Sequence, residues 1–301
     1  MRYRHPLASM RKLRRTTSVD TWTIRQEKRR RFAYISIIGG FGNNLFQVST
    51  GFAFENLGYQ VKFDLSAVKD KRLEILDIPI LGDYFSDRIA PWTKFMPSPV
   101  GRLGWFSKCF SKYFLGATPW IDLTSNGALP SDYGTNYFIS GYWQSIEIAR
   151  NLPKFDYFSG DVKNNKVAIH VRRGDMITNI NHPMDAYFRT CLKQIISEHP
   201  DTFFEVVVFT DDQEYCNTKL DLGQSFEVRN GGSTLEDFLG LIEAEYLIMS
   251  RSTFSWWAGF FSKGNVFSPI PWDTSRPFDD EIILPKYWKK TLATKNHLFT
   301  D

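Results

Sequence analysis

The sequence predicts an α/β protein built from two facing Rossmann-like domains with parallel sheets. Three features predict it. Short apolar runs alternate with amphipathic helical patterns through the second half of the chain. A separate strand–helix–strand pattern opens the first half. Between them lies a polar stretch, residues 151–165, with Pro153, Gly160 and two adjacent asparagines. The expected divisions are a basic tail over residues 1–31, an amino-terminal domain over 32–155 and a carboxyl-terminal domain over 156–301.

Residues 1–31 hold 11 Lys or Arg against two acids, so the tail carries about +9 and the remainder about −5, although the net charge is +4. Basicity confined to a tail argues against nucleic acid as a partner, which calls for basic residues on a folded face. No run of 18 apolar residues occurs and the start lacks an apolar h-region. The expected location is cytoplasmic, or peripheral at the cytoplasmic membrane face through contact of the tail with anionic lipid. A disordered start explains the same composition. Cys109, Cys191 and Cys216 are too widely spaced for a disulfide framework or a metal cluster, which suits a reducing compartment.

Residues 32–38 (Phe-Ala-Tyr-Ile-Ser-Ile-Ile) read as a buried strand. It runs into Gly39-Gly40-Phe41-Gly42-Asn43-Asn44, expected as a loop, and then into a helix carrying Leu45, Val48 and Phe52 on one face and stopping at Gly58. Residues 61–65 follow as a second strand. Residues 66–132, rich in Pro, Gly and aromatics, predict short helices and loops, and residues 137–143 another strand. In the second half, strands are expected at 167–171, 204–209, 226–228, 246–249 and 265–267. Met184, Tyr187, Phe188, Cys191, Leu192, Ile195 and Ile196 recur at helical spacing, as do Leu235, Phe238, Leu239 and Ile242.

An open parallel sheet binds ligands outside the carboxyl ends of its strands. Four expected strands end in polar clusters: Gly39 to Asn44, Arg172-Arg173-Gly174-Asp175, Thr210-Asp211-Asp212, and Ser250 to Ser255. Guanidinium matches phosphate with paired hydrogen bonds, so Arg172 and Arg173 point to a diphosphate. The alternative is an arginine pair bridged to Asp175 and a neighbouring acid. Ser252, Thr253 and Ser255 sit at a strand-to-helix junction, where hydroxyls and free amides hold anions, or where Ser252 is a plain N-cap. Asp211 and Asp212 suit a ribose or the N–H groups of guanine; alternatively, Asp211 caps the next helix. Gly42 permits close backbone approach, and Asn43 and Asn44 offer amide donors. Trp256 and Trp257 suit packing better than sugar stacking. The Gly-rich stretch lacks the Gly-Lys-Ser/Thr of a P-loop, which argues against a kinase. No Asp-x-Asp triplet occurs and the five histidines are scattered, so no metal is expected.

These blocks resemble the α1,2-fucosyltransferases, the bacterial members in particular. The matching pieces run in order over residues 33–272: 37–47 (IIGGFGNNLFQ), 141–145 (GYWQS), 170–175 (HVRRGD), 209–212 (FTDD), 252–262 (STFSWWAGFFS) and 268–272 (SPIPW). The arginine block and parts of the serine block also recur in α1,6- and protein O-fucosyltransferases, so they specify donor better than linkage.

The resemblance implies a GT-B-like, metal-independent, inverting enzyme, with residues 32–155 as the acceptor-side domain and 156–301 as the donor domain. GDP-fucose is its co-substrate and a galactose-containing glycan its acceptor, in surface-glycan or O-antigen synthesis. Other fucosyl linkages and a non-catalytic nucleotide-sugar module are the alternatives. It implies Arg172 or Arg173 on the β-phosphate and His170 with one of Asp211 and Asp212 near the guanosine. Ser252, Thr253 and Ser255 would hold phosphate oxygens, with Asn43 facing the donor from the first domain. Asp175 is the expected general base. Phe41, Asn44, Trp143 and Met176 depart from the usual family residues, and the basic tail has no counterpart.

Overall fold

The structure is a computed structural model. It describes residues 31–68, 73–91, 117–122, 129, 136–158, 160–174, 184–274 and 279–293. Asp175, Met176, Cys109 and residues 1–30 of the basic tail lie outside them. Arg31, assigned by sequence to the tail, is held to the fold: its guanidinium donates to Leu57 O at 3.2 Å and lies 4.7 Å over the Tyr59 ring.

The first unit begins with β1 (Phe32–Ser36), where Ala33 and Ile35 are fully buried. The helix α1 (Phe41–Asn56) starts earlier than the glycines imply. Gly40 takes the N-cap position, so Gly42, Asn43 and Asn44 form the first turn instead of a loop. After β2 (Gln60–Asp64) and the short helix α2 (Pro79–Ser86) come β3 (Ala117–Asp122) and β4 (Asn136–Gly141). All pairings are parallel, in the order β2-β1-β4-β3. The strand β3 is not among those expected. It contains Pro119 and lies at the sheet edge, where the missing N–H costs no central ladder bond.

After the short α3 (Ile146–Ala149), the second unit runs β5 (Lys163–Val171), α4 (Asp185–Glu198), β6 (Glu205–Thr210), α5 (Gln213–Thr218), β7 (Glu227–Val228), α6 (Thr234–Ile242), β8 (Ala244–Ile248), α7 (Thr253–Phe261), β9 (Asn265–Ile270) and β10 (Lys289–Leu292). Its six strands are parallel, in the order β10-β9-β8-β5-β6-β7. The edge strand β10 has no apolar run to announce it, only Lys-Lys-Thr-Leu. This is the expected GT-B-like plan of two parallel, Rossmann-like units.

The strand orders locate two crevices. In the second sheet the chain steps outward from β5 through β6 to β7. It then returns to the other side of β5 and steps through β8 and β9 to β10. The reversal lies between β5 and β8. In the first sheet β1 leads to β2 on one side while β4 flanks it on the other, so the reversal lies between β1 and β4. Such switch points are where open sheets bind ligands.

One hydrophobic core joins the two units. Phe46 of α1 packs between Trp256 and Trp257 of α7, with ring centroids 4.8 Å from each. Phe41 meets Phe238 at 4.9 Å and Phe254 at 5.6 Å. The tryptophans are therefore packing residues, both fully buried, and Trp256 Nε1 donates to Ile283 O at 2.8 Å. A second core lies beneath the other face of the larger sheet, between it and α4. There burial pushes the Cys191 thiol up to about 12.

Candidate active site

The β5–β8 switch point brings together the arginine block and the serine block. His170, near the end of β5, bonds through Nδ1 to Ser250 Oγ at 2.9 Å just beyond β8. The ring is buried and packs 5.3 Å from Phe254. Burial, then the charge of Arg172, lowers its pKa to about 3, so the imidazole is neutral at physiological pH. His170 thus forms part of the crevice floor. Its Nδ1 is taken by Ser250 Oγ, and the residue is 5% exposed.

The two arginines are paired with acids of the β6 loop, while Asp175, the acid named from the sequence, lies outside the described residues. Arg172 Nη1 lies 2.8 Å from Asp211 Oδ2, and Arg173 Nε lies 3.0 Å from Asp212 Oδ2. The Arg173 amide also donates to Asp211 Oδ1 at 2.8 Å. A Cβ on Gly174 would come within 2.5 Å of Asp211 Oδ2, so this glycine admits the carboxylate of β6's loop. Arg173 is the more confined of the pair. Its guanidinium carbon sits 3.4 Å from the Tyr215 ring centroid, and Tyr215 Oη donates to Asp185 Oδ2 at 2.6 Å. Arg172 is the more exposed, at 38% against 22% for the two side chains.

Asp212, and not Asp211, caps α5: its Oδ1 accepts from Tyr215 N at 3.0 Å. That backbone hydrogen bond, then Arg173, holds its carboxyl below the usual range. The serine block divides similarly. Ser252 caps α7, accepting from Phe254 N at 3.3 Å, and Thr253 is the first helical residue. Ser255 is fully buried, its hydroxyl directed at Ser250 O and Ser252 O. The expectation that Ser255 meets a phosphate fails because its position faces the core.

The β1–β4 crevice carries the first loop. Asn44 is 2% exposed, and its amide donates to Ile38 O at 3.0 Å and Gln47 Oε1 at 3.3 Å. It stitches the loop together and is not a ligand donor. Gln47 extends the stitch, accepting from Ile38 N at 3.1 Å and donating to Gly141 O at 2.9 Å. Gly42 abuts α7: a Cβ there would overlap the carbonyl group of Thr253. The close approach expected at Gly42 is thus to the second unit's backbone. Asn43 stays partly exposed beside that contact and accepts from Gln144 Nε2 at 3.0 Å. Because Gly42 touches Thr253, the amino termini of α1 and α7 bring the two crevices to one cleft.

Gln47, Gln144, Tyr142 and Tyr215 were not singled out by sequence. Gln47 and Gln144 stand within the matching blocks, but only the fold shows what they bridge. A groove of about 270 Å³, lined by Lys163, Lys166, Glu205, Arg229 and Glu243 among others, opens at the amino ends of β5 and β6. It lies away from the cleft, and Lys163 pairs with Glu243 at 2.6 Å within it.

The chain is similar to several known glycosyltransferases. The chain is 22% identical to an α1,2-colitosyltransferase of Escherichia coli over 287 residues, covering 84% of this chain and 96% of that protein. It is 22% identical to the pig galactoside α-(1,2)-fucosyltransferase 1 over 268 residues, 81% of this chain and 66% of that enzyme's length. Similar solved structures include the NodZ α1,6-fucosyltransferase soaked with GDP-fucose (15% identity, TM-score 0.44, 77% of this chain and 93% of that one). Another is the Escherichia coli heptosyltransferase WaaC with ADP (14% identity, TM-score 0.44, 87% and 93%). The profile of glycosyl transferase family 11 matches residues 122–288, more than half of the chain, taking in the arginine, aspartate and serine blocks. The chain belongs to glycosyl transferase family 11.

Proposed function

We propose that this chain is an inverting α1,2-fucosyltransferase that moves fucose from GDP-fucose to a galactoside hydroxyl, without a metal ion. The observation that carries the proposal is the convergence, at the β5–β8 switch point, of Arg172 with the amino terminus of α7. Both favour negative charge, and they meet where the strand order says a ligand binds. Family membership and the α1,2 relatives support fucose as the sugar and the 1,2 linkage.

In the reaction the acceptor hydroxyl oxygen attacks the anomeric carbon opposite GDP. The bond from that carbon to the β-phosphate oxygen breaks, and GDP leaves with the electron pair. The hydroxyl proton passes to a base, for which Asp175 is the proposed residue. Arg172 stabilises the charge growing on the diphosphate, the task a divalent cation performs in other transferases. Arg173, fixed between Asp212 and Tyr215, positions its neighbour. Asn43 and Thr253 face the donor across the cleft, and Asp211 and Asp212 hold the arginines. We also propose that the basic tail adds peripheral contact with a membrane surface.

The Escherichia coli relative favours a second donor. That protein is matched over nearly its whole length and is a colitosyltransferase, so nucleotide-activated colitose belongs in the test. A panel of GDP-fucose, GDP-mannose, activated colitose and UDP-sugars, with lactose as acceptor and product linkage read by NMR, decides between them. Turnover with GDP-fucose giving a 1,2-linked product is expected. Turnover with UDP-sugars alone sinks the proposal.

A further inference from the structure

Apart from Asn43, the cleft has an amino-terminal wall that the donor reading leaves unused. At the carboxyl end of β4 the backbone departs from ordinary geometry. Gly141 has φ 130° and Trp143 has φ 56°, a left-handed conformation that bulky L residues avoid. Such strain persists only where the surroundings enforce it. Here the Trp143 ring is 1% exposed, and Gln47 ties Gly141 O to the β1 loop. Immediately after it, Ser145 caps α3 by accepting from Ile148 N at 3.2 Å. The turn is thus held from both sides.

Held in this way, the turn presents two side chains at the β1–β4 switch point. Tyr142 is 41% exposed although it adjoins the core. Its ring lies against Gly39, where an added Cβ would come 3.4 Å from Cε1 and 2.8 Å from Asn43 Nδ2. Gln144 gives its amide to Asn43 Oδ1 at 3.0 Å. That bond fixes both carboxamides and leaves Gln144 Oε1 as an acceptor and Asn43 Nδ2 as a donor, each without a protein partner among the described residues. An exposed aromatic face beside a fixed acceptor–donor pair matches a sugar. Its C–H face stacks on the ring, and adjacent hydroxyls bond the two amides.

We propose that Tyr142 and Gln144 form the subsite for the acceptor galactoside, bordering the donor at Asn43, with Trp143 and Gln47 as the residues that hold it in shape. This rests on the glycosyl-transfer reading for the identity of the sugar as acceptor. It goes beyond the expected acceptor-side first domain and donor-side second domain by naming the side chains that would hold the acceptor.

The test separates the two. Lactose and methyl β-galactoside binding is measured by saturation-transfer NMR and calorimetry, with and without GDP, on the full chain. The proteins compared are wild type, Tyr142→Ala, Tyr142→Phe, Gln144→Ala and Arg172→Ala. Lactose affinity should fall about tenfold in Tyr142→Ala and in Gln144→Ala, and change less than twofold in Tyr142→Phe. It should persist in Arg172→Ala. In turnover assays Tyr142→Ala should raise the acceptor KM while leaving the donor KM and GDP-fucose hydrolysis as in wild type. Wild-type lactose affinity in folded Tyr142→Ala, or no galactoside binding by wild type, overturns the subsite. Lactose binding that depends on Tyr142, in a protein that turns over no GDP-fucose, supports the subsite and overturns the donor reading instead.

Discussion

Gly42 of α1 and Thr253 of α7 touch backbone to backbone, and no side chain fits between them. The contact sets how near the Asn43 side of the cleft stands to the Ser252–Thr253 side. Gly42→Ala should therefore lower stability by about 1–3 kcal/mol, the range for overpacking a tight contact. It should also reduce transfer more than it raises either KM. Denaturant midpoints and steady-state kinetics check it; wild-type values for both would show that the helices separate at no cost.

Arg172 and Arg173 should behave differently when truncated. Arg172→Ala is expected to cost roughly 10²–10³ in kcat, the loss typical of a fixed transition-state donor. Arg173→Ala should cost roughly tenfold. Arg173→Lys should not restore it, because an ammonium cannot reproduce the planar contact with Tyr215 together with the bond to Asp212. Equal losses for the two alanine variants would contradict the division of labour.

The buried imidazole makes stability depend on pH. The folded His170 pKa of about 3 lies below its unfolded value, so the unfolded chain binds the proton first. The stability this group contributes is complete above about pH 6.5 and is lost as pH falls from there toward 3. The slope is on the order of 1 kcal/mol per unit across that window. His170→Asn, measured by urea denaturation between pH 7 and pH 4.5, should flatten the decline. An unchanged slope would assign the acid sensitivity to other groups.

Phe46 reaches from the first unit into the second between two tryptophans. Phe46→Ala should cost about 3–5 kcal/mol, a full aromatic cavity. Guanidinium unfolding followed by tryptophan fluorescence reports on the same residues that lose their partner.

Chelation should leave the rate intact. Transfer in EDTA equal to transfer in Mg²⁺ or Mn²⁺ is expected if Arg172 takes the role of the metal; strict dependence on added cation would refute it.

Most of the fold was legible because its signals are local. Alternating strands and helices across residues 163–270 carry clear periodicity, and the bounds found are close to those expected. The two strands that were not legible, β3 and β10, are edge strands: one holds a proline and the other is largely polar. The site was legible as residue types at strand ends, but not as directions. Asn44 and Ser255 have the chemistry of ligand contacts, yet both point inward and serve the backbone. Asp211 is the cap candidate by sequence, but the helix starts one residue later and takes Asp212. Burial and phase at a helix terminus depend on what packs against it, and for α1 and α7 that partner lies more than 200 residues away in the chain.

The shared aromatic core gives the protein a mechanical character that its two-sheet plan does not announce. Phe41 and Phe46 pack against α6 and α7, and Trp257 packs against α1. A break engineered between β4 and β5 would leave two fragments, each baring a large apolar face that water cannot accommodate. The halves should precipitate apart and dissolve together. Calorimetry on the whole chain should record a single heat-absorption peak, with the two sheets melting as one piece.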